Sequence, residues 1–376
     1  MVTLQENTVQ FNNNLFVSHN GGQLSSDSGL ALMDELMDAF HFTQLSEEII
    51  TFNDNRKYCK HSNSKILKQL ILQLTAGYKA DASADVLQYD PVLLTFASGE
   101  FLASQPTNSR FWDRITEETI KGFQKLNQAL IDQARLVRND TNLIIDLDPT
   151  HSDTFGNQEL TDYNAHYGST GYHPLVAFDG LTGDFLKAKL RPGNQYTSNG
   201  VKEFLEPLLD HYNQAVPTTD ILIRADSGFA TPDIYDLCEK SKNQYIIRLK
   251  SNRKLARLAE EFLLYDDNHP WEEKEVYFRS VPYQAASWSK PRRVCIRSTR
   301  EAGELLFSHA FIVTSFSENI SAKRVFETYK KRGTMENYIK EAKNSFFFDK
   351  TDSPEFTENH ARMMVSVLVY NLFNFL

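Results

Sequence analysis

The hydrophobic pattern changes character along the chain. From the start to about residue 135, apolar positions recur mainly at helical spacing. The run S-S-D-S-G-L-A-L-M-D-E-L-M-D-A-F opens on Ser and Asp residues suited to a helix start. It then sets Leu32, Met33, Leu36, Met37 and Phe40 along one side of a helix. S-K-I-L-K-Q-L-I-L-Q-L-T-A-G-Y repeats the pattern and ends near Gly77. The stretch from Pro106, P-T-N-S-R-F-W-D-R-I-T-E-E-T-I-K-G-F, predicts a further capped helix beginning around Thr107. After Arg138 the texture is that of strands: N-L-I-I-D-L-D, Y-H-P-L-V-A-F and F-L-K-A-K-L, the last two joined by the turn D-G-L-T-G-D. An amphipathic helix over roughly 198–214 follows. Next come a buried strand I-L-I-R-A-D, a helix I-Y-D-L-C-E-K and a strand Y-I-I-R-L-K. A meander followed by alternating helix and strand predicts an α/β fold, a mixed sheet covered by helices.

From about Ala256 to Phe316 the helix–strand alternation stops. W-E-E-K-E-V-Y-F-R-S-V, R-R-V-C-I-R-S-T and F-S-H-A-F-I-V-T-S-F alternate at period two, as in a small antiparallel sheet inserted into the core. The helical pattern resumes with S-A-K-R-V-F-E-T-Y-K-K-R. The expected organisation is therefore a mostly helical region over 1–135, a first core part over 136–255, an inserted β subdomain over 256–318, and a second core part over 319–376. The apolar C-terminal run M-M-V-S-V-L-V-Y-N-L-F-N-F-L is too short to cross a bilayer and predicts a core helix; it stops without a polar tail, as a chain cut short would.

Composition narrows the partners. At 376 residues, with 41% hydrophobic residues, the chain can bury a substantial core. Its net charge of −9 means that any nucleic-acid contact must come from local basic patches. Two candidates are R-L-K-S-N-R-K-L-A-R, which carries Arg248, Lys250, Arg253, Lys254 and Arg257 and no acid, and K-P-R-R at Lys290–Arg293. Cys59, Cys238 and Cys295 are too scattered for a disulfide framework or a cysteine zinc site, which points to a reducing compartment. The N-terminus lacks the layout of a secretory signal.

The acids that carry chemistry sit at strand ends. Asp146 and Asp148, two apart in a strand, point to one face of the sheet, and Asp226 closes I-L-I-R-A-D just before a turn at Ser227-Gly228. Ser227 lacks the elbow motif of a nucleophilic serine. Further on, Tyr329, Arg332, Glu336 and Lys343 fall at helical angles of about 0°, −60°, −20° and −40°, within one strip. Met335, Ile339, Ala342 and Phe346 fall on the neighbouring, core-facing strip. Gly333-Thr334 leaves open a break in which Thr334 restarts the helix. Two or three carboxylates converging from strand ends and a helix would form a hard, oxygen-rich site for Mg²⁺ or Mn²⁺. Arg332 and Lys343 would hold neighbouring phosphates.

These residues resemble the DDE transposases of bacterial insertion sequences, and more narrowly the transposase DDE domain group one, whose ribonuclease-H-like core carries a β-strand insertion before the glutamate. Asp148-Pro149-Thr150 is similar to the family's first aspartate motif and R-A-D-S-G-F to the second. Tyr329, Arg332, Glu336 and Lys343 match the signature Y-(2)-R-(3)-E-(6)-K, and L-A-S-Q-P-T-N-S-R-F, H-Y-G-S-T-G-Y-H-P-L and K-L-R-P-G-N extend the likeness over nearly the whole chain. The resemblance implies cut-and-paste DNA transposition: metal-dependent cleavage at inverted terminal repeats, then strand transfer into target DNA. It implies two Mg²⁺ ions (Mn²⁺ as a substitute) on Asp148, Asp226 and Glu336, with Asp146 as the alternative first ligand. Tyr329, Arg332 and Lys343 would grip double-stranded DNA. It further implies a homodimer on paired ends, a bacterial cytoplasmic setting at the nucleoid, no membrane, and inverted-repeat reading by the N-terminal helices. Trp271 or Trp288 could stack on an unpaired base, although a core or surface place suits either better. His151, His166 and His173 read as structural or turn residues. Two alternatives stand beside transposition: a metal-dependent nuclease of the same fold, and an inactive or truncated DNA-binding remnant.

Overall fold

The computed structural model describes residues 7–9, 12–17, 25–96, 101–215, 220–261, 263, 270 and 272–376. The described chain begins with an antiparallel hairpin, β1 (Asn7–Val9) and β2 (Asn12–Val17). Seven helices follow: α1 (Leu30–Ala39), α2 (Phe42–Ile49), α3 (Asn63–Thr75), α4 (Ala84–Leu87), α5 (Pro91–Phe96), α6 (Gln105–Trp112) and α7 (Glu117–Arg138). Leu30, Met33 and Met37 of α1 bury one stripe at helical spacing. The helix is not capped by the Ser and Asp residues before it; its N-cap is Gly29, with no side-chain bond. Ser62 caps α3 by accepting the Lys65 N–H, and the chain leaves that helix through Gly77, whose φ of +85° suits glycine.

The single helix expected from Pro106 onward is two helices. Thr116 and Thr119 form a reciprocal cap, each hydroxyl accepting the other's backbone N–H (3.2 and 3.1 Å). That local bonding starts α7 afresh and leaves 113–116 as the corner between α6 and α7.

An eight-stranded mixed sheet forms the centre. Its strands are β3 (Asn142–Pro149), β7 (Leu175–Asp179), β8 (Phe185–Lys189), β9 (Asp220–Ala225), β10 (Gln244–Leu249), β11 (Glu275–Tyr283), β12 (Arg292–Arg300) and β13 (Ser308–Thr314), in the spatial order β11-β12-β13-β10-β9-β3-β7-β8. The meander β3-β7-β8 is antiparallel, and β9 and β10 run parallel to β3. Helix α8 (Val201–Ala215) connects β8 to β9, and α9 (Pro232–Lys240) connects β9 to β10. Alternation along the strands serves two layers. Leu143, Ile145, Leu147, Ile221, Ile223, Tyr245 and Ile247 pack towards α8, α9 and α10 (Arg253–Glu260). Residues of opposite parity, including Ile246 and Ile312, face α11 (Ala322–Lys330).

The inserted strands are antiparallel, as their alternation requires. They also continue the core sheet, because β13 pairs along β10 from Ile246↔Thr314 to Leu249↔Phe311. Pairing in this way satisfies an edge that would otherwise expose unbonded backbone groups. A separate three-stranded sheet lies over 152–172: β4 (Ser152–Asp153), β5 (Asp162–Asn164) and β6 (Ser169–Tyr172). Its strands are short and polar, and the hydrophobic pattern gave no sign of them.

After α11 a 3-10 turn over Lys331–Gly333 leads into α12 (Thr334–Phe346), and α13 (Phe356–Phe375) closes the fold. The C-terminal apolar run is a core helix, buried on nearly every side from Asn359 to Leu372. Asn371 ties it to the sheet edge, accepting the Phe185 N–H (2.8 Å) and donating to the Phe185 carbonyl (2.9 Å). Among the described residues, no helix is long and apolar enough to cross a membrane.

His360 in α13 is 5% exposed, and burial holds its imidazole down to about 3. The unfolded chain takes up this proton near pH 6.5 and the folded chain only near pH 3. This contribution to stability is therefore complete above pH 6.5 and is lost as pH falls through that window, at about 1.4 kcal/mol per pH unit. Urea unfolding of His360→Gln from pH 7 to 4 is expected to show a slope shallower by close to one proton. An unchanged slope would place the acid sensitivity elsewhere.

Candidate active site

The sheet topology sets the first two carboxylates side by side. Strands β3 and β9 pair in parallel as far as Leu147↔Ala225, so Asp148 and Asp226 are the next residues on adjacent strand ends. Asp226 also caps the turn at Ser227–Phe229, its Oδ1 accepting the Gly228 N–H (2.8 Å). A Cβ at Gly228 would meet the Thr197 side chain at 2.6 Å, so glycine keeps this turn tight. Glu336 is exposed in the first turn of α12. The break left open at Gly333-Thr334 is a tightened turn without a cap: both residues keep right-handed helical angles, and α11 runs through the 3-10 turn into α12.

Arg332 fastens that turn to the end of β3. Its guanidinium donates to the Leu147 carbonyl (2.9 Å) and pairs with Asp148 Oδ1 (2.7 Å). Burial pushes the Asp148 carboxyl up to about 6; the Arg332 charge opposes this, while the charges of Asp226 and Glu336 add to it. Asp226 and Glu336 thus both lie within electrostatic reach of Asp148. Among the described residues, however, no three His, Cys, Asp or Glu side chains are grouped so as to hold a metal ion. The donor chemistry, all carboxylate oxygen, fits a hard divalent cation. In this arrangement the Arg332 guanidinium occupies one Asp148 oxygen.

Asp146, the alternative first carboxylate, is fully buried. Arg224 holds it in a two-pronged pair, Nε to Oδ1 and Nη2 to Oδ2, both 2.7 Å, and donates its Nη1 to the Thr328 carbonyl (2.9 Å). Gly180 lies against this pair, where a Cβ would come within 2.4 Å of the guanidinium and 2.6 Å of the carboxylate. With both oxygens engaged, Asp146 is a structural partner, and Asp148 is the acid on which the charges of Asp226 and Glu336 act.

The signature strip divides. Tyr329 and Arg332 line a cleft of about 390 Å³ together with Asp226, Arg248 and Lys250. Lys343 lies elsewhere, half-buried, with its ammonium donating to the His151 carbonyl. Burial pushes that ammonium below its ordinary value and pushes the Tyr329 hydroxyl up.

Two of the histidines make structural contacts, His151 stacking on Tyr167 (4.7 Å) and His173 bonding the Gln195 carbonyl (2.8 Å), while His166 is exposed in a turn, its backbone N–H bonded to Asn164 Oδ1 (3.1 Å). Tyr167 itself escaped the sequence reading. Its ring is partly exposed; burial of the rest raises its hydroxyl, and the charges of Asp148 and Asp226 add to this. The only signal in sequence was its place in H-Y-G-S-T-G-Y-H-P-L.

The two basic runs also differ. Arg248 and Lys250 face the cleft, whereas Lys290 pairs with Glu239 (2.9 Å), Arg292 is buried against Asp236 and Glu239, and Arg293 bonds the carbonyls of Ser317 and Ile320. Trp288 is a core residue packed on Tyr235 and Tyr283. Trp271 lies outside the described residues.

A profile of the family described as transposase DDE domain group 1 matches residues 7–376. The chain belongs to this family. Its activity is therefore that of DNA transposition in general, and the family's members generally depend on divalent metal ions. Among solved structures, the chain is similar to that described as a piggyBac transposase synaptic complex with hairpin DNA. The TM-score is 0.52 at 11% identity, covering 99% of this chain and 77% of that one, a likeness of fold. No curated protein sequence matches the chain.

Proposed function

We propose that the chain is the catalytic subunit of a cut-and-paste transposase, with Asp148, Asp226 and Glu336 as its metal-holding acids. The observation that supports this most is the placement of Asp148 and Asp226 at adjacent ends of parallel strands, with the charge of Glu336 acting on Asp148 from α12. Left without a counter-ion, three such acids oppose one another's ionisation. A pair of Mg²⁺ ions would supply the positive charge that stabilises the attacking and leaving oxygens of a phosphodiester. Arg332 then serves two purposes: it locks the α11–α12 junction to β3 and offers its charge to a phosphate lying in the cleft. Tyr329, Arg248 and Lys250 line the path by which the strand would leave the site. Lys343, bound to the His151 carbonyl, would reach a phosphate only by exchanging that partner. Water attack at the transposon end frees a 3′-hydroxyl, which displaces in line a phosphodiester of the target and leaves that strand's own 3′-hydroxyl behind. Two copies of the chain would hold the paired ends together, a reading supported by the likeness of fold to a piggyBac transposase in a synaptic complex.

The test is a plasmid bearing the DNA that flanks the reading frame, incubated with the purified chain in Mg²⁺ or in EDTA. Excised ends and joined products in Mg²⁺ alone are expected. Cleavage without joining would favour a plain nuclease, and binding without cleavage an inactive remnant.

A further inference from the structure

A second cationic site lies in the helical region and shares no residue with the acids. The loop between α2 and α3 reads R-K-Y-C-K-H and faces the C-terminal end of α6 across an open cleft of about 450 Å³. Arg56, Lys60, Arg110 and Arg114 line it, against one carboxylate, Asp113. Helix ends attract cations, and Arg110 in the last turn of α6 would be unremarkable alone. Arg114 is different. It is 9% exposed, it donates to Asn63 Oδ1, and it shares that oxygen with Arg56, whose Nη2 lies 3.1 Å away. Arg56 has Asp54 as its ion-pair partner (2.7 Å); among the described residues Arg114 has no carboxylate within pairing distance. Desolvation, reinforced by the neighbouring Arg56 charge, holds the Arg114 guanidinium below its ordinary value, against the opposing charges of Asp54 and Asp113. A nearly buried guanidinium with no carboxylate bonded to it, beside a second one, can take a further anion.

We propose that this cleft is a second DNA-contact site, in which Arg114, Arg110 and Lys60 hold backbone phosphates of a duplex. The forked guanidinium geometry suits phosphate oxygens. The Tyr58 ring, 96% exposed at the mouth, can lie against sugar or base. A duplex, unlike free phosphate, would meet the recessed Arg114 and the exposed Arg110 and Lys60 together. Such contacts position the DNA without reading its sequence.

This inference rests on the DNA reading of the chain, and the test separates the two. Binding of a fluorescein-labelled random-sequence duplex to the full chain is followed by anisotropy in EDTA, over a range of salt. The exposed double variant Lys60→Gln/Arg110→Gln is expected to bind about tenfold more weakly at low salt. Its slope of log affinity against log salt should be shallower by about 1.8, the effect of two lost phosphate contacts. Arg114→Gln should lower affinity further; because it also loses the Asn63 bond, its unfolding midpoint is measured alongside. Wild-type protein that binds duplex, with a double variant of equal affinity and slope, would overturn the cleft alone. Wild-type protein that does not bind duplex at low salt would overturn both readings. Inorganic phosphate should compete no better than chloride at equal ionic strength; selective displacement by phosphate would overturn the duplex as the ligand.

Discussion

Asp226→Asn and Glu336→Gln are each expected to reduce DNA cleavage in Mg²⁺ by about 10³-fold or more, equivalent to about 4 kcal/mol of transition-state stabilisation. Both changes keep size and hydrogen-bonding capacity while removing the charge that attracts a divalent ion. Asp226→Asn can still accept the Gly228 N–H through its amide oxygen, so the turn after β9 should persist. Glu336 is exposed, so its replacement should leave the fold intact. Duplex binding, measured separately, should fall little or even rise as repulsion from the phosphates is relieved. A variant that cuts at near wild-type rate would remove that residue from the proposed metal site. If cleavage and binding disappear together, a structural role would explain the loss instead.

The second large effect concerns stability. Arg224 and Asp146 are each about 1% exposed in their side chains and bonded through both prongs. Truncating one partner strands the other as a buried charge, a loss of about 3–5 kcal/mol. Urea denaturation should show that loss for Arg224→Met and for Asp146→Ala. The double replacement Asp146→Leu/Arg224→Met should recover a large part of it, since no lone charge remains. Gly180→Ala is expected to destabilise as well, because its methyl group would enter the space held by the pair. Additive losses in the double variant would mean that the pair is not the coupled unit described. Because Arg224 also binds the Thr328 carbonyl of α11, the single variants should lose cleavage along with stability.

Much of this architecture was legible from local patterns. The meander with its Gly/Thr turn, the strands ending at Asp148 and Asp226, the amphipathic α8 and the apolar α13 all follow from period-two or helical spacing. Asp226 could be placed at a turn because Ser-Gly follows it. What local spacing could not supply was partnership over distance. Asp146 and Asp148 look alike in sequence; what separates them is Arg224, from another strand, and Arg332, from the α11–α12 turn. An arginine inside the apolar strand I-L-I-R-A-D was the available hint, since a buried guanidinium requires an acid. Arg292 and Lys290 read as a free basic run because Asp236 and Glu239, which hold them, lie on α9. The short strands over 152–172 carry too few apolar residues to show any period.

One topological detail bears on how the interval between the second aspartate and the glutamate can vary. The excursion leaves the sheet after Leu249 and returns on β13, whose Phe311 stands opposite Leu249. Departure and return are thus neighbours in space, like the two feet of a staple, while β11 and β12 between them extend the same sheet and Trp288 its core. Lengthening the exposed β12–β13 loop over 301–306 would change the surface at small entropic cost, about 0.6 kcal/mol for each doubling of a flexible loop. Glu336 would keep its station. A loop enlarged there would alter what the protein grips while the chemistry stayed in register.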